Sequence, residues 1–267
     1  MKTLGIIAGC GGLPFATARE ARHKGVERLV AVAFPGQTSP EFEELVDEIH
    51  WVGLGQLGKL LRAFRGAGVR EAVMVGGLEP KSVISVRALD LRMLALAARV
   101  PDRRPGTVLK AIAGELEKEG VTLLDSTTYL SSCVAGKGVM TRAAPGKAVL
   151  DEIAFGSPLA RELARLDIGQ TVVVRKKAVV AVEAMEGTDE TLRRAAALCP
   201  EGMVAVKVSR PRQDMRFDVP VVGETTIRLL LDARAAALAL EAGRTIILDR
   251  GEVLRKADAA GMAVVGI

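Results

Sequence analysis

Aromatic residues are scarce in this chain: Phe, Trp and Tyr make up 3% of it, with one Trp, one Tyr and six Phe. Proteins that stack bases need exposed aromatics interleaved with cations, and no such interleaving occurs, so the formal charge of +5 predicts acidic partners without nucleic acid among them. Cysteine is scarce as well. Cys10, Cys133 and Cys199 are odd in number, far apart and free of C-x-x-C spacing, which argues against a disulfide framework or a zinc site and predicts a reducing cytoplasm. No stretch approaches the roughly eighteen consecutive apolar residues of a spanning helix. The opening Met1-Lys2-Thr3-Leu4-Gly5-Ile6-Ile7-Ala8-Gly9 meets glycine too early for a signal peptide.

Hydrophobic residues nevertheless reach 49%, with 28 glycines, so the core must be built from Ala, Val, Leu and Ile. That composition predicts an α/β protein with buried parallel strands. Residues 4–8 read as a strand, 9–12 as a tight glycine loop and 14–24 as a helix with Pro14 in its first turn. Strands over 29–34, 48–52 and 72–75 alternate with a short acidic helix after Ser39-Pro40 and a helix over 56–65; helices over 87–99 and 107–119 and a strand over 121–124 follow. The fold expected is α/β in two domains: a Rossmann-like parallel sheet over 1–130, a linker over 131–146, and a smaller C-terminal α/β domain over 147–267. The second half is expected to hold a helix after Ser157-Pro158, strands over 171–174, 178–183, 203–208 and 245–248, a helix after Thr188 and a long helix over 224–241.

The densest polar run is Gln213-Asp214-Met215-Arg216-Phe217-Asp218-Val219-Pro220. Asp218 lies between Phe217 and Val219, which read as buried, and a carboxylate held there needs a cation such as Arg216 or Lys207. Upstream, a strand delivers Glu183, Glu186 and Asp189 to a turn, with Thr188 or Asp189 available to cap the next helix. Together these acids suggest an oxygen-rich pocket for Mg²⁺ or Mn²⁺ and a phosphorylated substrate, with Asp214, Asp218, Glu183 and Glu186 as metal candidates. Gly9, Gly11 and Gly12 follow a strand and open a helix, as a phosphate-binding loop does, or as a plain tight turn does. Pro14 stands where a dinucleotide fingerprint has its third glycine, and the second strand ends without a ribose-binding acid. Gly76-Gly77 sits at the carboxyl end of a predicted strand with Lys81 following, either an anion site or a simple turn.

These residues resemble a known family. The opening Leu4-Gly5-Ile6-Ile7-Ala8-Gly9 with Gly11-Gly12-Leu13-Pro14, the run Asp167-Ile168-Gly169-Gln170-Thr171, the block Glu183 to Asp189, and the block from Lys207 to Gly223 resemble LpxI, the UDP-2,3-diacylglucosamine pyrophosphatase family of lipid A synthesis. The resemblance implies a two-domain enzyme that uses Mg²⁺ to hydrolyse UDP-2,3-diacylglucosamine to UMP and 2,3-diacylglucosamine 1-phosphate. It implies that Asp218, which matches an aspartate important in the family, is catalytic; Asp214 is the second catalytic candidate, and which of the two holds metal and which orients water is open. Substrate contacts are expected from Gly9, Gly11, Gly12, Gly76, Gly77, Thr188, Asp189, Lys207, Gln213 and Arg216. A diacylated substrate implies a cytoplasmic enzyme with peripheral contact at the inner face of the cytoplasmic membrane, and a homodimer is compatible with the sequence. Two other classes share these features: a nucleotide-sugar transferase, and a non-catalytic nucleotide-binding regulatory protein.

Overall fold

The computed structural model describes residues 2–78, 89–102 and 104–267; Lys81 and the first two residues of the helix expected over 87–99 lie outside them. The chain divides into two compact units, one made of Met1–Ser131 with Asp214–Asp218, the other of Ser132–Gln213 with Val219–Ile267. The first unit carries a five-stranded sheet of β1 (Thr3–Ala8), β2 (Arg28–Ala33), β3 (Glu48–Trp51), β4 (Glu71–Val75) and β5 (Thr122–Leu123). Its order is β3-β2-β1-β4-β5, and every pairing is parallel. The apolar runs of β1 and β2 are buried for all but their first residues, as strands covered on both faces must be. Helices α1 (Leu13–His23), α2 (Leu57–Gly66), α3 (Leu91–Arg99) and α4 (Pro105–Lys118) connect or cover them, with Pro14 and Pro105 in first turns where a missing N–H is harmless. In such a sheet the strand order reverses between β1 and β4, and ligands favour the carboxyl ends there. The loops Gly9–Gly12 and Gly76–Gly77 leave those two ends.

The second unit has a six-stranded mixed sheet. Its strands are β6 (Gly138–Val139), β7 (Thr171–Arg175), β8 (Ala178–Val182), β9 (Val204–Lys207), β11 (Ala237–Leu240) and β13 (Ala263–Gly266), in the order β6-β13-β11-β9-β7-β8, while β10 (Val221–Val222) and β12 (Ile246–Ile247) form a separate parallel pair. Alternate residues feed opposite cores. Val172, Val174, Val204 and Val206 pack with Ile153, Ala160 and Ala164 of α5 (Lys147–Arg165), whereas Val173 and Ala205 pack with Leu192 of α6 (Thr188–Leu198) and Leu230 of α7 (Glu224–Asp232). α8 (Arg250–Ala259) adds Val253 and Ala257 to the second core. Among the described residues no helix is long and apolar enough to cross a membrane.

Two expectations are corrected. The helix expected over 224–241 ends at Asp232; Arg234 adopts φ +44°, and Ala237–Leu240 become a central strand bonded to β9 and β13. Alanine favours helix locally, but this run is wholly buried, and a central strand satisfies its backbone from both sides. The helix expected to begin at Ser157-Pro158 instead runs through it from Lys147. Pro158 has no N–H to give the preceding turn, and the Ser157 hydroxyl donates to Ile153 O at 2.6 Å.

Candidate active site

At the sheet end of the first unit the glycines hold two loops against each other. Gly9 N–H donates to Val75 O and Cys10 N–H to Gly77 O, both at 2.8 Å, and Gly77 N–H returns to Cys10 O at 3.2 Å. A Cβ at Gly9 would lie 2.3 Å from Gly77 O, and one at Gly76, where φ is +90°, 2.7 Å from Cys10 O. Close backbone approach therefore accounts for Gly9 and Gly76. Gly11 differs: its φ of +86° demands glycine although nothing stands within 4 Å of a Cβ. Gly11 and Gly12 are exposed at the start of α1, whose first N–H groups have no partners within the helix.

The Asp214–Asp218 segment belongs to this same unit. Arg216 grips Asp214 in a two-pronged pair, Nε to Oδ1 and Nη2 to Oδ2, both at 2.9 Å, and its backbone N–H donates to Oδ1 at 3.2 Å. The Arg216 guanidinium holds the Asp214 carboxyl below the ordinary carboxylate range, and Asp214 in turn raises Arg216. Phe217 and Asp218 N–H groups both donate to Asp214 O, closing a turn. Phe217 packs against the sheet core; it, Asp218 and Val219 are half-buried, where the sequence reading had both neighbours buried. Ser126 went unread in the sequence. It is 1% exposed, its N–H donates to Met215 O at 2.9 Å, and its hydroxyl lies 2.7 Å from Met74 O and 2.8 Å from Arg216 O, serving one at a time. A serine just past a predicted strand was the available signal.

In the second unit, strand pairing sets Thr171 opposite Lys207, and Glu183 N–H donates to Thr171 O at 2.9 Å. The Lys207 and Glu183 side chains both reach Thr188 at the start of α6. Lys207, 6% exposed, donates from Nζ to Thr188 Oγ1 at 2.5 Å, and that hydroxyl donates to Glu183 Oε1 at 3.1 Å. Gln170 N–H supplies Glu183 Oε2 at 3.3 Å. Gly169 is required here, since a Cβ would lie 2.0 Å from Glu183 O. Asp189 accepts from Thr226 Oγ1 at 2.8 Å, and Gln213 Oε1 accepts from Arg210 N–H at 2.7 Å. Glu186 is bonded by Arg194 Nη2 at 2.5 Å; its own backbone N–H and then Arg194 hold its carboxyl below the ordinary 4.5. Glu183, Thr188 and Lys207 therefore form one connected group, while Asp189, Glu186 and Gln213 have separate partners.

The LpxI N-terminal domain matches residues 3–133 and the LpxI C-terminal domain residues 136–265. The chain belongs to the LpxI family. It is 32% identical to the UDP-2,3-diacylglucosamine pyrophosphatase LpxI of Caulobacter vibrioides, over 100% of this chain and 98% of that protein. Solved structures are more distant. An ADP complex of N5-carboxyaminoimidazole ribonucleotide synthetase is 18% identical with a TM-score of 0.28, over 74% of this chain and 35% of that one. Phosphoribosylglycinamide synthetase from Anaerococcus prevotii is 12% identical with a TM-score of 0.27, over 72% of this chain and 42% of that one.

In this LpxI chain the acids expected as metal ligands fall in both units, Asp214 and Asp218 in the first, Glu183 and Glu186 in the second. Among the described residues no three acidic, histidine or cysteine side chains come together to hold a metal ion. Asp214 commits both oxygens to Arg216, and Glu186 is held by Arg194. Within each unit these acids as arranged do not fit an ion.

Proposed function

We propose that the chain hydrolyses the pyrophosphate bond of UDP-2,3-diacylglucosamine, giving UMP and 2,3-diacylglucosamine 1-phosphate. The observation that carries this reading is the whole-length match to a relative bearing that activity in its name. In the reaction a water oxygen attacks the α-phosphorus, the bond to the bridging oxygen breaks, that oxygen leaves with the phosphosugar, and one water proton is released. Asp218, in the turn that Asp214 and Arg216 close, is the candidate to orient the water. Lys207 and Thr188 at the start of α6 suit phosphate oxygens, by positive charge and by the helix terminus. Gly11 and Gly12 at the start of α1 are the corresponding candidates for a nucleotide phosphate. The acyl chains of such a substrate lie in a bilayer, so we infer a cytoplasmic enzyme working at the inner face of the cytoplasmic membrane.

The test is UMP release from purified UDP-2,3-diacylglucosamine with no acceptor present, compared between wild type and Asp218→Ala. The expected result is hydrolysis by wild type and a loss of more than tenfold in kcat/KM, above about 1.4 kcal/mol of transition-state stabilisation, in a variant that melts like wild type. Release only when an acceptor is added would indicate a transferase, and tight UDP-sugar binding without turnover a regulatory module. Chelation followed by Mg²⁺ or Mn²⁺ addition in the same assay reads whether hydrolysis depends on a divalent ion.

A further inference from the structure

β3 is an edge strand of the first sheet, and its last residue, Trp51, is the only tryptophan of the chain and 39% exposed. Trp51 borders an open groove of about 490 Å³ lined by residues 49–52 and by Lys59, Arg62 and Ala63 of α2. Lys59 and Arg62 are exposed, and neither makes an ion pair among the described residues. α2, which carries Lys59 and Arg62, is also joined to the start of α3. Gly58 N–H donates to Asp90 Oδ2 at 2.7 Å, Asp90 caps α3 through Met93 N–H at 2.9 Å, and a Cβ at Gly58 would meet Arg92 Cγ at 3.4 Å and Arg62 Nη1 at 3.5 Å.

α3 is apolar on two faces and covered on one. Met93, Leu96 and Val100 pack into the core, while Leu91, Leu94, Ala95 and Ala98, at helical spacing, are all exposed, Leu91 to 84%. An apolar stripe left in solvent, with an exposed tryptophan and two cations that make no ion pair among the described residues on the adjoining elements, is the pattern of a surface that lies in a lipid headgroup layer, with leucines in the acyl region, the indole at the boundary and cations against anionic heads. Arg92 and Arg99 are engaged by Glu115 and Glu119, so among the described residues the cations here without an ion pair are Lys59 and Arg62. We propose that Trp51, Lys59, Arg62 and the Leu91–Leu94 face of α3 form a docking surface for an anionic lipid bilayer. This rests on the reading that the substrate is a bilayer lipid, and it adds where the protein meets that bilayer.

The single tryptophan makes the test direct. Protein is mixed with vesicles of phosphatidylcholine alone or with phosphatidylglycerol, free of any UDP-sugar, and binding is read by Trp51 emission and by quenching from brominated acyl chains. Expected are a blue shift and quenching with anionic vesicles only, reversal by salt, and at least a tenfold weaker association for Lys59→Glu/Arg62→Glu and for Leu91→Ser/Leu94→Ser. The charge-matched pair Lys147→Glu/Arg161→Glu, exposed positions in the other unit, should bind like wild type. Absence of a shift with anionic vesicles, unaltered binding by either patch variant, or equal loss in the Lys147/Arg161 control overturns the proposal. Because substrate is absent, vesicle binding by a protein that releases no UMP would sink the hydrolase reading and leave the surface standing, and hydrolysis of detergent-dispersed substrate without vesicle binding would do the reverse.

Discussion

Lys207, at the end of β9, donates to the hydroxyl of Thr188, the first residue of α6, across 2.5 Å. The ammonium can only donate, so the threonine oxygen must accept from it and pass its own proton toward Glu183. A buried cation and a nearly buried carboxylate are thereby joined through one hydroxyl. Replacing Thr188 by Val keeps the shape and removes the link, and a destabilisation of about 1–3 kcal/mol is expected because polar groups stay buried without it. Denaturant midpoints measure this. Thr188→Ser should recover most of the loss, and a Val variant as stable and active as wild type would remove the link from the account.

The Asp214 and Arg216 pair makes acid sensitivity specific. The Asp214 carboxyl is lowered from its ordinary 3.8, so its contribution is present in full above that value and is lost as pH falls through the lower folded value. Asp214→Asn should be less stable than wild type near neutrality, with the gap closing as the pH is taken below that range. Melting curves across the acid range check it; a constant gap would mean the carboxylate charge has no part.

Ser126, fully buried, gives its one hydroxyl proton to either Met74 O or Arg216 O. Ser126→Ala removes that one buried donor, and a loss of about 1–3 kcal/mol is expected, with kcat falling further than KM rises if the 214–218 turn positions the chemistry. Unchanged kcat in a destabilised enzyme would confine Ser126 to a structural role.

The two glycine loops separate sterics from backbone conformation. Gly9→Ala drives a Cβ to within 2.3 Å of Gly77 O and should cost about 1–3 kcal/mol or more by overpacking. Gly11→Ala meets nothing, but φ +86° should cost it about 1–2 kcal/mol. If the start of α1 receives a nucleotide phosphate, Gly11→Ala should also raise KM. A KM equal to that of wild type would leave the loop as a turn.

Local pattern alone decided much of this protein. The apolar runs of β1, β2 and β4, the glycines after them and Pro14 in the first turn of α1 were legible because burial, positive φ and a missing N–H act on neighbouring residues. The sequence offered Arg216 as a partner for Asp218, and the folded turn pairs it with Asp214 instead. What needed the tertiary structure were choices between locally equivalent states and contacts between distant segments. Ala237–Leu240 read as helix until neighbours on both sides made it a strand, and Pro158 read as a helix start until α5 absorbed it. Glu183, Thr188 and Lys207 meet because β7 pairs with both β8 and β9, and Ser126 reaches Met215 because a five-residue segment from far along the chain folds with the first unit. Residue periodicity carries no information about which strands pair, since that is set by the burial free energy of the whole sheet.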